Sequence, residues 1–110
     1  MNFIHILIPT PVLVEDLRAS LNQAMVLFRT DGCFLQQLMV FDGPNSIATF
    51  DRQSRGDHSN GLDGENTFVV NKDGIAFGVG LTLVFQSDLG VREGGDVYIA
   101  SAGCDFLHNI

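Results

Sequence analysis

The sequence predicts an α+β fold in which one long N-terminal helix packs on a curled, mainly antiparallel sheet. Three observations predict it. Apolar residues between positions 10 and 31 recur at a spacing typical of a helix, and residues 75–86 alternate strictly. Eleven of the 12 glycines lie after residue 42, which indicates strands and turns there. The predicted element order is β-α-β-β-β-β-β within a single domain, 1–110. A ferredoxin-like arrangement and a small barrel are the alternatives.

The first two elements are a strand over residues 3–8 and the helix that follows it. Residues 3–8 are apolar on both faces apart from His5, which is typical of a strand that is covered on both sides. The Thr-Pro pair at residues 10–11 favours the start of a helix, and Gly32 favours its end. Between them, apolar residues recur at helical spacing: Val14, Leu17, Leu21, Ala24, Met25 and Phe28.

The rest of the chain predicts strands that are joined by turns. These strands are expected at residues 33–41, 46–50, 67–71, 75–86 and 97–102. In the strand predicted over 75–86, large apolar side chains alternate with mostly small ones, which include Gly78 and Gly80. Because glycine weakens a strand, we expect a close backbone or helix contact at both glycines to offset the loss. Sharp bending of the strand is the alternative.

Charge and composition exclude several classes of protein. Thirteen acidic residues oppose six basic ones, a formal net charge of −7, so binding to nucleic acid or to a membrane surface is not expected. Cys33 and Cys104 are expected to be free thiols, because a single pair of cysteines is not a disulfide framework. The N-terminal residues do not resemble a signal peptide, so a cytoplasmic location is predicted.

The one long polar segment, residues 51–66, contains the first candidate site. His58 stands there beside Asp57, in a segment that also contains Asp51, Asp63 and Glu65. A carboxylate that orients an imidazole can form an acid–base pair with it. The alternative is a solvated loop. A calcium-binding loop is not predicted, because the required ligand positions are taken by Arg55 and Leu62.

The cysteines and the remaining histidine offer a weaker metal hypothesis. Cys104 and His108 are four residues apart, and with Cys33 and His58 they could complete a zinc site. No closely spaced pair of cysteines supports this set, so a packed terminus is favoured. No metal and no cofactor is therefore predicted.

Three polar side chains interrupt otherwise apolar strands and form the second candidate site. His5, Thr82 and Tyr98 each need a hydrogen-bond partner if they are buried. If the sheet curls around a cavity, these three groups are placed to orient a ligand inside it. His5 is also a candidate for acid–base catalysis.

Taken together, these features predict a non-catalytic α+β module that self-associates and binds a partner or a small apolar ligand. One helix covers one face of a sheet, whereas residues 3–8 and 75–86 are apolar on both faces. A homodimer or a larger ring would cover the second face. The expected contacts are Phe3, His5 and Leu7 together with one face of residues 75–86. The alternative is a small acid–base enzyme of hydrolase or isomerase type, with a His/Asp site at the mouth of the sheet.

Overall fold

Residues 19–31, which were predicted to be helical, form a strand in the computed structural model of the chain, which describes residues 2–10, 19–88 and 95–108. Ala24 and Phe28 are both buried, and their separation of four residues fits one helical turn and two strand repeats equally well. Leu21 is buried on the same side because a β-bulge between Leu21 and Gln23 shifts the alternation by one residue. A bulged strand therefore reproduces the helical spacing. The beginning of the predicted helix, residues 11–18, lies outside the described residues.

The described residues form eight strands and no helix. They are β1 (Asn2–Ile8), β2 (Ala19–Asp31), β3 (Cys33–Asp42), β4 (Asn45–Ser54), β5 (Asp57–His58), β6 (Thr67–Lys72), β7 (Val79–Ser87) and β8 (Asp96–His108). The strands predicted at 3–8, 33–41, 46–50 and 67–71 are confirmed, and 97–102 lies inside the longer β8.

These strands form two antiparallel sheets. The first sheet has the order β1-β7-β3-β4. In the second sheet, β8 follows one edge of β2 along its whole length, and the short β5 and β6 pair with the other edge. The chain crosses from the second sheet to the first at Gly32, between β2 and β3.

The two sheets face each other across a shared apolar core. Phe28 of β2 meets Phe85 of β7 edge-on, with ring centroids 6.2 Å apart, and Phe50 of β4 lies 5.4 Å from Phe68 of β6. The layer that covers the first sheet is therefore a second sheet and not a helix. The predicted α+β class is wrong, and the chain has an all-β, two-sheet fold.

The strand predicted over residues 75–86 begins only at Val79. The residues before it leave the ladder, and Gly78 has a φ of +123°, a conformation that L side chains rarely adopt. A Cβ added at Gly80 would lie 3.9 Å from its nearest neighbours, which is an ordinary contact distance. A Cβ added at Gly78 would lie 3.7 Å from its nearest neighbour, so the prediction of a close contact is wrong at both glycines. Gly78 is required for its backbone conformation instead.

Candidate functional site

The outer face of the first sheet carries two of the three polar side chains that interrupt apolar strands. In the register of β1 with β7 and of β7 with β3, His5, Thr82 and Met39 lie side by side, and Leu7, Gly80 and Phe41 form the next row. Leu7 is 89% exposed, which shows that this row faces away from the core. The sheet therefore places an imidazole and a hydroxyl among apolar side chains on its surface.

A groove with a volume of about 340 Å³ follows these rows. Its lining is formed by β1, β7, the end of β3 and the turn after β3: His5, Ile6, Leu7, Phe41, Gly43, Pro44, Gly80, Leu81 and Thr82. We call it the outer groove. Among the described residues that line it, only His5 and Thr82 have polar side chains, so it is an apolar groove with one polar pair.

His5 and Thr82 are joined by a hydrogen bond of 2.8 Å between Nδ1 and Oγ1. Thr82 is only 5% exposed, whereas the His5 ring is exposed to solvent. The third predicted ligand-binding residue, Tyr98, is not brought to this groove. It lies on β8 of the second sheet, where the Arg29 guanidinium stands 4.3 Å from the centroid of its ring.

His58, the first candidate for acid–base chemistry, lies with its ring against Phe28, at 5.2 Å between centroids. Its Nδ1 is 2.8 Å from a carboxylate oxygen of Asp63. Its Nε2 is 2.9 Å from the carbonyl oxygen of Arg55 and 3.0 Å from a carboxylate oxygen of Glu65. Burial opposes a charge on the ring, but these acceptors outweigh it and raise the pKa of His58. Both nitrogens are thus engaged with acceptors, as in an imidazolium ion.

Asp57, the predicted partner of His58, does not contact its ring. Its carboxylate accepts hydrogen bonds from the backbone and hydroxyl of Ser59 and from the Asn60 amide, and the Ser59 bonds hold the pKa of Asp57 low. Successive side chains of a strand point to opposite faces, so neighbours in sequence are separated in space. Asp63 was one of the carboxylates that the sequence offered, but it could not be singled out as the partner, because no local spacing rule links it to His58.

The polar segment around His58 is ordered by a fully buried side chain, Asn66. Its amide donates to the carbonyl oxygens of His58 and Gly61, and its Oδ1 accepts from the backbone N–H of Asp63. We call residues 55–66 the clasp loop. The loop is therefore held by its own side chains, and His58 is one of its structural parts.

A second, more polar groove lies between β3 and β4. Its volume is about 480 Å³, and it is lined by Phe34, Gln36, Asp51, Arg52 and Gln53. The Oε1 atom of Gln36 is buried without a hydrogen-bond partner among the described residues. Gln36 is the bulged residue of β3 against β7, so its side chain is displaced from the regular alternation.

The two cysteines are free thiols, as predicted. Burial raises the pKa of the Cys104 thiol to about 12, so this group is protonated at neutral pH and is a poor nucleophile. Within residues 2–10, 19–88 and 95–108, no group of three histidine, cysteine or acidic side chains is arranged to hold a metal ion. The side chain of His108 lies outside what the structure describes.

The fold and the outer groove define the class: an all-β, two-sheet protein with an apolar groove on one outer face. No protein-family model, no curated protein and no solved structure matches the chain. No helix among the described residues is long and apolar enough to cross a membrane. Functional conclusions therefore depend on the chemistry of the grooves and of the clasp loop.

Proposed function

We propose that this protein is a non-catalytic binding module whose outer groove takes up a small apolar ligand. The observation that carries the proposal is the lining of the groove, where seven apolar residues surround a single hydrogen-bonded pair, His5 and Thr82. Small-molecule sites have volumes of roughly 300–1,000 Å³ and combine apolar walls with a few placed polar groups. At about 340 Å³ the groove is at the small end of that range.

The acid–base alternative receives less support from the contacts of the two histidines. Both nitrogens of His58 are engaged in holding the clasp loop, so neither is available to a substrate without opening it. His5 has a hydroxyl and no carboxylate as its hydrogen-bond partner within the described part of the chain. In a Ser-His-Asp site, a carboxylate orients the neutral imidazole and stabilises the imidazolium that forms when the ring accepts a proton.

A homodimer over the same face is the second candidate. Phe3 and Leu7 of β1 are strongly exposed on this face, and Phe77 packs against Gly43 at one end of the groove. From a strand rise of ~3.4 Å and a strand spacing of ~4.8 Å, the patch between these residues covers about 200 Å². A stable interface buries about 800 Å² on each partner. The patch therefore suits a small ligand better, and a dimer would need further surface around it.

We also propose a cytoplasmic location. The support is that Cys33 and Cys104 are both unpaired, which is the usual state of cysteines in a reducing compartment. Fractionation of cells from the source organism, with an antibody against the native protein, tests this directly. Recovery with secreted or membrane fractions would contradict it.

Propylbenzene is a suitable first probe of the outer groove because it has no polar group. Binding is measured from chemical-shift changes in ¹⁵N-labelled protein. Leu7→Asp places a charge in the groove wall and is expected to weaken binding at least tenfold. Leu62→Asp is the matched control, since Leu62 is also exposed, at 58%, but lies in the clasp loop. Equal weakening in both variants, or no binding to the wild type, would overturn the proposal.

A further inference from the structure

The hydrogen bond between His5 and Thr82 has a direction that can be derived from the protons available. A threonine hydroxyl has one proton to donate, and a neutral imidazole has one protonated and one bare nitrogen. Thr82 is buried, and within the described residues Nδ1 of His5 is its only side-chain partner. If Nδ1 carried the imidazole proton, the hydroxyl proton would be buried without an acceptor, which is costly.

The favoured arrangement is therefore one in which Thr82 donates to Nδ1. The neutral imidazole then carries its proton on Nε2. Within the described residues Nε2 makes no hydrogen bond, and the ring belongs to the lining of the outer groove. The groove thus offers a ligand one hydrogen-bond donor and no free side-chain acceptor.

The charge of the protein decides between a charged and a neutral acceptor on the ligand. The chain has a net charge of −7, and among residues 2–10, 19–88 and 95–108 no lysine or arginine lines the outer groove. A carboxylate would lose its hydration in an apolar groove without a fixed positive partner, and the surrounding field would repel it. A carbonyl oxygen accepts the same hydrogen bond with a much smaller loss of hydration.

From this we infer that the outer groove is selective for neutral, apolar molecules that carry a carbonyl oxygen, which accepts a hydrogen bond from Nε2 of His5. The inference rests on the proposed function, because it names the class of ligand for the same groove. Thr82 is a positioning residue in this account, since it fixes which nitrogen of His5 carries the proton.

Three probes of similar size test the selectivity: propylbenzene, phenylacetone and phenylacetate. The ratio of the Kd of phenylacetone to that of propylbenzene isolates the carbonyl, because the ring and chain are common to both. In His5→Phe the donor is lost, and this ratio is expected to rise about fivefold, the effect of one ordinary hydrogen bond. Phenylacetate is expected to bind the wild type at least tenfold more weakly than phenylacetone at pH 8.

Two further variants separate the hydrogen bond from a general change in packing. His5→Gln keeps an N–H donor and is expected to keep the ratio within twofold of the wild type. Thr82→Val removes the hydroxyl at nearly constant volume, and the ratio is expected to rise by less than in His5→Phe. Circular dichroism and melting curves establish that each variant is folded before its affinities are compared.

The outcomes distinguish this inference from the proposed function. Propylbenzene binding with a ratio that is the same in His5→Phe and the wild type would overturn the inference and leave the groove as a site for hydrocarbons. Tighter binding of phenylacetate than of phenylacetone would also overturn it. Failure of all three probes to bind would overturn both.

Discussion

Asp42, at the end of β3, shows how one side chain fixes a stretch of backbone. Its buried carboxylate accepts hydrogen bonds from the backbone N–H groups of Ala76, Phe77 and Gly78 at 2.9, 2.8 and 3.2 Å. These residues precede β7 and have left the strand ladder. Burial opposes the negative charge, but the three donors outweigh it and lower the pKa of Asp42. The carboxylate therefore provides the hydrogen-bond acceptors that a neighbouring strand would otherwise provide.

Asp42→Asn is expected to destabilise the fold by about 1–3 kcal/mol, because an amide loses the charge and turns a donor toward other donors. Asp51→Asn is the control, since Asp51 is an exposed carboxylate with one side-chain hydrogen bond, to Gln37. Urea unfolding at pH 7 measures both. The stabilisation that Asp42 provides is fully present above the ordinary aspartate pKa of 3.8. It is lost as the pH falls through the lower pKa that Asp42 has in the folded protein. Equal unfolding midpoints for the two variants would contradict this role.

Gly95 is required for a different reason, which is the space beside it. It has a φ of +76°, and an added Cβ would lie 2.5 Å from the carbonyl oxygen of Asp31 and 2.7 Å from the carbonyl carbon of Gly32. Both neighbours are backbone atoms at the crossing between the sheets, so neither can rotate away.

Gly95→Ala is expected to lower the free energy of unfolding by about 2–5 kcal/mol, through the left-handed backbone and overpacking together. Gly61→Ala is the matched control, because a Cβ there would have no neighbour within 4 Å. Thermal melting compares the two variants. Melting temperatures within 2 °C of each other, roughly 0.5 kcal/mol for a domain of this size, would show that the crossing can adjust.

At the scale of elements, most of the strands could be predicted from the sequence and β2 could not. The predictions for 3–8 and 33–41 are confirmed, although β3 carries a bulge at Gln36 that was not predicted. The strictly alternating residues 75–86 form a strand only from Val79. In β2 the bulge between Leu21 and Gln23 creates a spacing of three that indicates a helix. A bulge depends on the partner strands β6 and β8, and a single sequence does not show which strands will pair.

The candidate site could likewise be predicted only in part. His5 and Thr82 could be singled out because each is a polar group within an apolar strand. Their pairing depends on the register of β1 with β7, 77 positions apart, which the local pattern does not encode. The clasp loop was recognised as polar, but its organisation around His58, Asp63 and Asn66 depends on Phe28 providing a surface for the imidazole ring.

The clasp loop gives the protein a pH dependence that can be measured. The raised pKa of His58 means that its contribution to stability is fully present below the ordinary value of 6.5 and is lost as the pH rises through the folded value. We therefore expect the contribution of His58 to the free energy of unfolding of the wild type to decrease as the pH rises from 6.5 through the folded pKa of this residue. In His58→Gln that contribution should be absent. Identical pH profiles for the two proteins would contradict the role of His58 as a charged clasp.

At the scale of the whole molecule, two sheets share one core, and the outer groove lies on the outer face of the first sheet. Sedimentation velocity tests whether a second copy uses that face. If the homodimer forms, the average mass of the wild type rises above 12.0 kDa with increasing concentration. Leu7→Asp should then remain monomeric, because its charge would be buried against the partner. A wild-type mass that stays at 12.0 kDa at millimolar concentration would contradict the dimer and leave the outer groove open.

The outer groove itself is tested most directly by intermolecular nuclear Overhauser effects between phenylacetone and the labelled protein. Our account predicts effects from the methyl and ring protons of the probe to the side chains of His5, Leu7 and Phe41, which line the groove together. Effects to Phe34 and Gln36, in the polar groove between β3 and β4, would instead show that the probe binds there. That result, or an absence of any effect at saturating probe, would contradict the account.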